Sequence, residues 1–228
     1  MASDKSLFNS IFRNVGFLTA GRIGNALCSF IYISLAVRTL GLADFGLLIL
    51  IHSLASAASM VSRMQSWQTL IHFGSEAFAR KDIPLIKQVI GFSIRLDTLS
   101  AAIALSLGIV LVLIYGTLAS WPQHIITLAL LYAFCSPFMY TGWSNGILRL
   151  SGKFHVAPII DFLCSTFQTS ATFIGYKLHY TLGYFLLIWG LTRVIDYAGS
   201  VCFALSSIKM NIFKIYAHAF HNRNWKLP

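Results

Sequence analysis

The sequence predicts an all-α fold, a polytopic bundle of transmembrane helices. Three observations carry this. Of 228 residues, 57% are hydrophobic and only 11% are charged, where a soluble domain is about a quarter charged. The mean hydropathy is +0.72. The apolar residues gather into runs of roughly 20 or more, the length that crosses about 30 Å of hydrocarbon. Disorder, a secreted disulfide scaffold and an ordinary cytosolic enzyme are excluded.

Six spans follow in order. Val15–Val37 is the first, too long an apolar run for a signal-peptide core, so it is expected to stay as a span. Phe45–Trp67 is the second. Gln68–Ile90 is too polar to cross, with Glu76, Arg80, Lys81, Asp82 and Lys87 among apolar residues, and reads as an interfacial amphipathic helix. Ser93–Thr117 is the third span and Gln123–Ile147 the fourth, with Pro137 inside it predicting a kink. Val156–Leu178 is the fifth and Gly183–Ile208 the sixth. Residues 1–208 thus form one bundle, and 209–228 a basic amphipathic tail read as an interface anchor.

Basic residues orient the bundle. With the N-terminus cytoplasmic, that side receives Lys5, Arg13, Arg80, Lys81, Lys87, Arg149, Lys153, Lys209, Lys214, Arg223 and Lys226; the far side receives Arg38 and Lys177. This asymmetry places both termini in the cytoplasm. The net charge of +10 is then a matter of loops and anionic membrane lipids. No basic cluster stands beside a nucleic-acid-binding motif, so nucleic acid is not an expected partner.

Polar residues recur at helical spacing inside the spans. The first carries Thr19, Arg22, Asn25, Ser29 and Tyr32. The second carries His52, Ser56, Ser59, Arg63 and Ser66. The fifth carries Asp161, Ser165, Gln168 and Thr172, and the sixth Arg193, Asp196, Ser200 and Ser207. Steps of three and four put each set on one helix face, which suggests a shared hydrophilic interior. Charges at membrane depth face such an interior or a partner. The plainer reading of the small residues, including Gly142 and Gly146, is close helix packing. Arg22 and Asp161 lack a partner on their own helices and point to a site. Arg193 and Asp196, three apart, can pair with each other. Arg63 near its span end, and Arg95, can snorkel to the interface, whereas Asp97 is expected to point inward.

No HExxH, GxSxG, P-loop or GxGxxG occurs, the histidines are scattered, and no carboxylates pair. Cys28, Cys135, Cys164 and Cys202 lie in apolar runs with no CxxC spacing. Neither an enzyme nor a cofactor or metal is expected.

Three stretches carry a resemblance. Arg38-Thr39-Leu40-Gly41-Leu42-Ala43-Asp44-Phe45-Gly46 has R-x-L-G closing one span and F-G opening the next. Ala79-Arg80-Lys81-Asp82 lies between the second and third spans. Asn145-Gly146-Ile147-Leu148-Arg149-Leu150-Ser151-Gly152-Lys153-Phe154 runs into the fifth span and Asp161. In these the chain resembles the N-terminal half of the polysaccharide and O-antigen flippases, within the multidrug/oligosaccharidyl-lipid/polysaccharide exporter superfamily. The family usually has Pro after L-G; Leu42 stands there.

The resemblance implies two six-helix lobes facing across a central cavity in the bacterial inner membrane. It implies that an undecaprenyl-pyrophosphate-linked oligosaccharide moves by alternating access toward surface polysaccharide and O-antigen (lipopolysaccharide) assembly. Cationic residues would meet the pyrophosphate, Arg22 first, then Arg63 and Arg193. With the stripe residues, the candidate substrate-binding set is Arg22, Asn25, Arg63, Asp161, Gln168, Arg193 and Asp196. Six spans make one lobe, so the chain is expected to be a truncated or split half, or to pair with a second half-transporter chain or a second copy. The end at Trp225-Lys226-Leu227-Pro228 favours truncation. Rival readings are a multidrug antiporter lobe, with Asp161 or Asp97 as the ion-coupled carboxylate, a non-functional remnant, or a membrane-embedded glycolipid enzyme.

Overall fold

The computed structural model describes residues 2–80 and 82–223, with side chains left aside at both ends of that range. Every described regular element is helical: α1 (Ala2–Val61), α2 (Ser66–Arg80), α3 (Ile83–Leu118), α4 (Gln123–Ala133), a 3-10 turn (Ser136–Met139), α5 (Gly142–Leu150), α6 (Val156–Lys177) and α7 (Leu182–Arg223).

Helix α1 holds both the first and the second predicted span. It breaks at Gly41, where φ is 75° and ψ 175°. That conformation is open essentially to glycine alone, so Gly41 makes the turn, with Leu42 following it. Side-chain neighbours give the direction of each run. The first arm of α1 ascends beside α6, with Gly21 at Pro158 and Gly24 at Phe162, and Cys28 at Thr169. The second arm runs parallel to α4, with His52 at Tyr132 and Ser56 at Met139. Helix α4 is parallel to α7, Gly183 meeting Leu128 and Gly190 meeting Tyr132. Helices α6 and α7 are antiparallel, since Gly175 meets Phe185 and Gly199 meets Ile160. The two arms of α1 are therefore antiparallel, and the chain forms six alternating runs.

Three described helical stretches are long and apolar enough to cross a membrane: Gly21–Phe78, Ile83–Leu118 and Leu182–Lys209. The bent pair Gln123–Ala133 and Ser136–Leu150 makes a fourth. Gly21–Phe78 contains the Gly41 reversal. Helix α6 is the expected span missing from this set, because Asp161, Ser165, Gln168 and Thr172 dilute its apolar face.

Several expected boundaries need correction. The second span does not reach Trp67: α1 stops at Val61, Gln65 takes a φ of 48°, and Trp67 belongs to α2. The interfacial helix ends at Arg80 rather than running to Ile90. The third span opens at Ile83, not Ser93, because Asp82 caps a new helix there. Its Oδ1 accepts from the Leu85 amide at 3.1 Å, and Pro84 occupies the first turn. At 36 residues this helix measures about 54 Å, longer than the hydrocarbon. Around Pro137 the fourth span does not merely kink. It separates into α4 and α5, inclined by 50°. Helix α7 continues to Arg223 with no break at 209; the tail's side chains, and residues 224–228, lie outside the described ones.

Two apolar cores hold the runs together. One joins Leu48, Ile51, Val112, Ala129, Phe185 and Trp189. The other joins Leu70, Ile86, Ile147, Leu148, Val156 and Ala204. In the second, α5 lies close on α2. A Cβ on Gly146 would stand 3.1 Å from Leu70 and 3.2 Å from the Trp67 backbone. The small-residue spacing of Gly142 and Gly146 thus serves packing.

Candidate functional site

Four of the six runs were expected to share one hydrophilic interior. The structure divides it. The first arm of α1, α6 and α7 surround one polar region. The second arm of α1, α3 and the α4–α5 break surround another. Helix α7 stands between them, with Asp196 on the first and its neighbour Tyr197 on the second.

The first region has an inner and an outer part. The inner cavity, about 110 Å³, is lined by Asn25, Asp161, Gln168, Arg193 and Asp196, with Tyr32 and Ser165. Five of the seven candidate residues therefore converge. Spacing explains this: residues three or four apart on α1, α6 and α7 each present one face to the common axis. Hydrogen bonds lock the register of α1 on α6. Ser165 Oγ donates to Asn25 Oδ1, and Thr169 Oγ1 donates to the Cys28 carbonyl at 3.3 Å. Gln168 is 3% exposed. The expected pair between Arg193 and Asp196 does not form as a direct ion pair among the described residues. Both side chains border the cavity instead of each other, with Asp161 opposite. Arg193 can therefore offer hydrogen-bond donors to a third party.

The outer cavity is larger, about 380 Å³, and shares Asn25 and Asp161 with the inner one. Arg22, Arg149 and Lys153 bring three cations to it from α1, α5 and the loop before α6. Asn145 and Phe154 complete the wall. Arg149 is anchored over the Trp67 ring at 4.8 Å, a cation–π contact that restricts its rotamers. Three positive groups face one carboxylate, so the local field favours an anion, and Arg forks suit oxyanion geometry. Sequence reasoning assigns Arg149 and Lys153 to topology alone and misses them as site residues; their place in the Asn145–Phe154 stretch, which runs on to Asp161, is the signal that could have found them.

Arg63 is not part of this region. Its guanidinium lies 5.0 Å from the Tyr140 ring centroid, on an exposed side chain at the end of α1. The rest of that stripe is structural or faces the second region. His52 Nδ1 and Tyr132 Oη are 2.7 Å apart, and Ser56 lies one turn on. His52 also meets the Trp189 ring edge-on at 5.1 Å. Ser59 borders the second region, a cavity of about 290 Å³ built around Asp97.

Asp97 points inward as expected, and it has a definite task. Its Oδ2 accepts from the Trp143 amide at 2.7 Å, in the first turn of α5, so a carboxylate from α3 caps a helix 46 residues away. Gly142 leaves the room for this. A Cβ there would stand 2.4 Å from Ser66 Oγ and 2.6 Å from both Asp97 Oδ2 and Tyr140 Cε1.

The fold and these cavities define an α-helical membrane protein with a divided polar interior. The chain is 28% identical over 152 residues to the inner membrane protein YghQ of Escherichia coli (strain K12), an overlap of 67% of this chain and 43% of that protein. The chain thus corresponds to less than half of the curated relative's length. No protein-family model matches it, and no solved structure does.

Proposed function

We propose that the chain is one lobe of an inner-membrane transporter that moves a lipid-linked oligosaccharide, carried on undecaprenyl pyrophosphate, from the cytoplasmic to the periplasmic leaflet by alternating access. The cargo would serve surface polysaccharide or O-antigen assembly. The observation that carries the reading is the convergence of Arg22, Arg149 and Lys153 on the outer cavity, backed by the inner cavity of Asn25, Gln168 and Arg193. The three outer cations suit a pyrophosphate, whose negative charge no single residue would balance. The inner amide and guanidinium groups offer the paired donors that sugar hydroxyls need.

The YghQ likeness supports an inner-membrane setting, and its coverage suits a lobe. Arg22 and Asp161 are exposed on the isolated lobe, which suits a second lobe facing them. That second lobe would be another chain or a second copy, and rocking of the two about the shared cavity would alternate access. The positive-inside asymmetry orients both termini to the cytoplasm, which puts Arg149 and Lys153 on the side where the pyrophosphate cargo is made. The test is Arg22→Ala in a flippase-null strain that carries the complete transporter. Surface polysaccharide should be lost while the protein remains inserted at normal levels. Full surface polysaccharide in that variant would overturn the reading.

A further inference from the structure

The inner cavity of the first region is lined by polar side chains that do not satisfy one another. Gln168 is 3% exposed and borders the cavity. Its amide has no hydrogen-bond partner among the described residues. The side chains of Tyr32, Asp161, Arg193 and Asp196 also line the cavity and make no hydrogen bond or ion pair among those residues. Asn25 accepts from Ser165 through its carbonyl oxygen and keeps its amide nitrogen free. Buried polar groups are normally paired, so open donors and acceptors around one chamber call for a polar occupant.

Size and position narrow that occupant. A cavity of about 150 Å³ holds one six-membered ring, so a chamber of about 110 Å³ admits no more than one sugar residue. It adjoins the outer cavity, with Asn25 and Asp161 in both walls. On the cargo reading above, a pyrophosphate held by Arg22, Arg149 and Lys153 puts the sugar bonded to it against that shared wall. The rest of the oligosaccharide cannot follow it in.

Charge sets what that sugar can be. In the inner cavity two carboxyls, Asp161 and Asp196, stand against one guanidinium, Arg193. The outer cavity has the opposite balance, three cations to one carboxylate. A carboxylate accepts from two hydroxyls at once, and the Gln168 amide both donates and accepts. That set complements a neutral ring of hydroxyl groups. A uronic acid would bring a third carboxyl to a single cation, and like charges held close at low dielectric repel. We propose that the inner cavity is a specificity pocket for the sugar linked directly to the pyrophosphate, where Asp161 and Asp196 admit a neutral sugar and bar an acidic one. The filter acts on that first sugar alone.

The experiment is equilibrium binding of three radiolabelled probes to the purified full chain in detergent. They are farnesyl pyrophosphate, the same molecule with glucose on its terminal phosphate, and the same with glucuronic acid there. The glucose probe should bind more tightly than farnesyl pyrophosphate, and at least about tenfold more tightly than the glucuronic acid probe. Asp196→Asn removes one charge with little change of shape and should cut that preference severalfold. Asp161→Asn should do the same, and carries the test if Asp196→Asn does not fold. Arg22→Ala should weaken all three probes, which tests the pyrophosphate reading separately. Equal binding of the two sugar probes, or no gain from glucose, overturns the pocket; the transport reading survives if Arg22→Ala still weakens them. An unchanged preference in the folded Asp variants overturns the role of the carboxyls. No saturable binding of any probe overturns the transport reading and the pocket together.

Discussion

Gly142→Ala adds one methyl group where three atoms already stand. The new Cβ would lie 2.4 Å from Ser66 Oγ and 2.6 Å from Asp97 Oδ2 and from Tyr140 Cε1, about 1 Å inside ordinary van der Waals separation. The three neighbours are on different elements, so no single rotation relieves them. Asp97 cannot retreat without stretching its 2.7 Å bond to the Trp143 amide. Overpacking of this kind costs about 1–3 kcal/mol, and a charge-assisted hydrogen bond contributes about 1.5–3 kcal/mol. Alanine returns up to about 1 kcal/mol of helix propensity. The net loss should be roughly 1.5–5 kcal/mol. Gly46→Ala is the matched control. It is the same chemical change in α1, with nothing within 4 Å of the new Cβ, and should be neutral or stabilising by up to about 1 kcal/mol. Reversible unfolding of both variants in mixed micelles, followed by tryptophan fluorescence, measures the difference. Equal stability of the two would refute the tertiary cap on α5.

Gly41→Ala should cost about 1–3 kcal/mol in the same unfolding assay, because φ 75° with ψ 175° strains any residue with a Cβ; a native-like midpoint would contradict the turn. Tyr132→Phe removes the oxygen 2.7 Å from His52 Nδ1 and should destabilise by about 1–3 kcal/mol. A double-mutant cycle with His52→Leu should show coupling of at least about 0.5 kcal/mol; simple additivity would count against the contact. Arg63→Ala should leave surface polysaccharide near normal where Arg22→Ala abolishes it, since Arg63 stacks on Tyr140 outside the cavity. Alkaline phosphatase fused after His179 should be active and after Ser151 inactive, as the basic loops require; the reverse pattern would invert the topology.

Much of the fold was legible because a membrane simplifies the code. Spans need length and apolar character, and α6 matches its expected bounds to within one residue. The stripes on the first, fifth and sixth spans located the inner cavity, because three-and-four spacing survives folding unchanged. What the sequence left hidden was tertiary. Arg63 shares a stripe with His52 and Ser59, yet it stacks on Tyr140, on the wall of the second region. Arg193 and Asp196 have the spacing of a pair, yet among the described residues they form no direct ion pair and both line the inner cavity. Pro137 announced a disturbance but not its extent, because the break also depends on Asp97, 40 positions earlier, receiving the new helix start. Local composition cannot carry such information.

The contacts between the first arm of α1 and α6 have a consequence for biogenesis. Asn25 and Cys28 are made early, while Ser165 and Thr169 follow some 140 residues later. Ribosomes add about 5–20 residues each second, so the first helix waits for many seconds in lipid with its polar face uncovered. Helix α6, too polar to enter hydrocarbon readily by itself, arrives to find that face prepared. The earliest helix thus acts as an internal chaperone for the fifth run, and this face of the lobe closes only once α6 has been made.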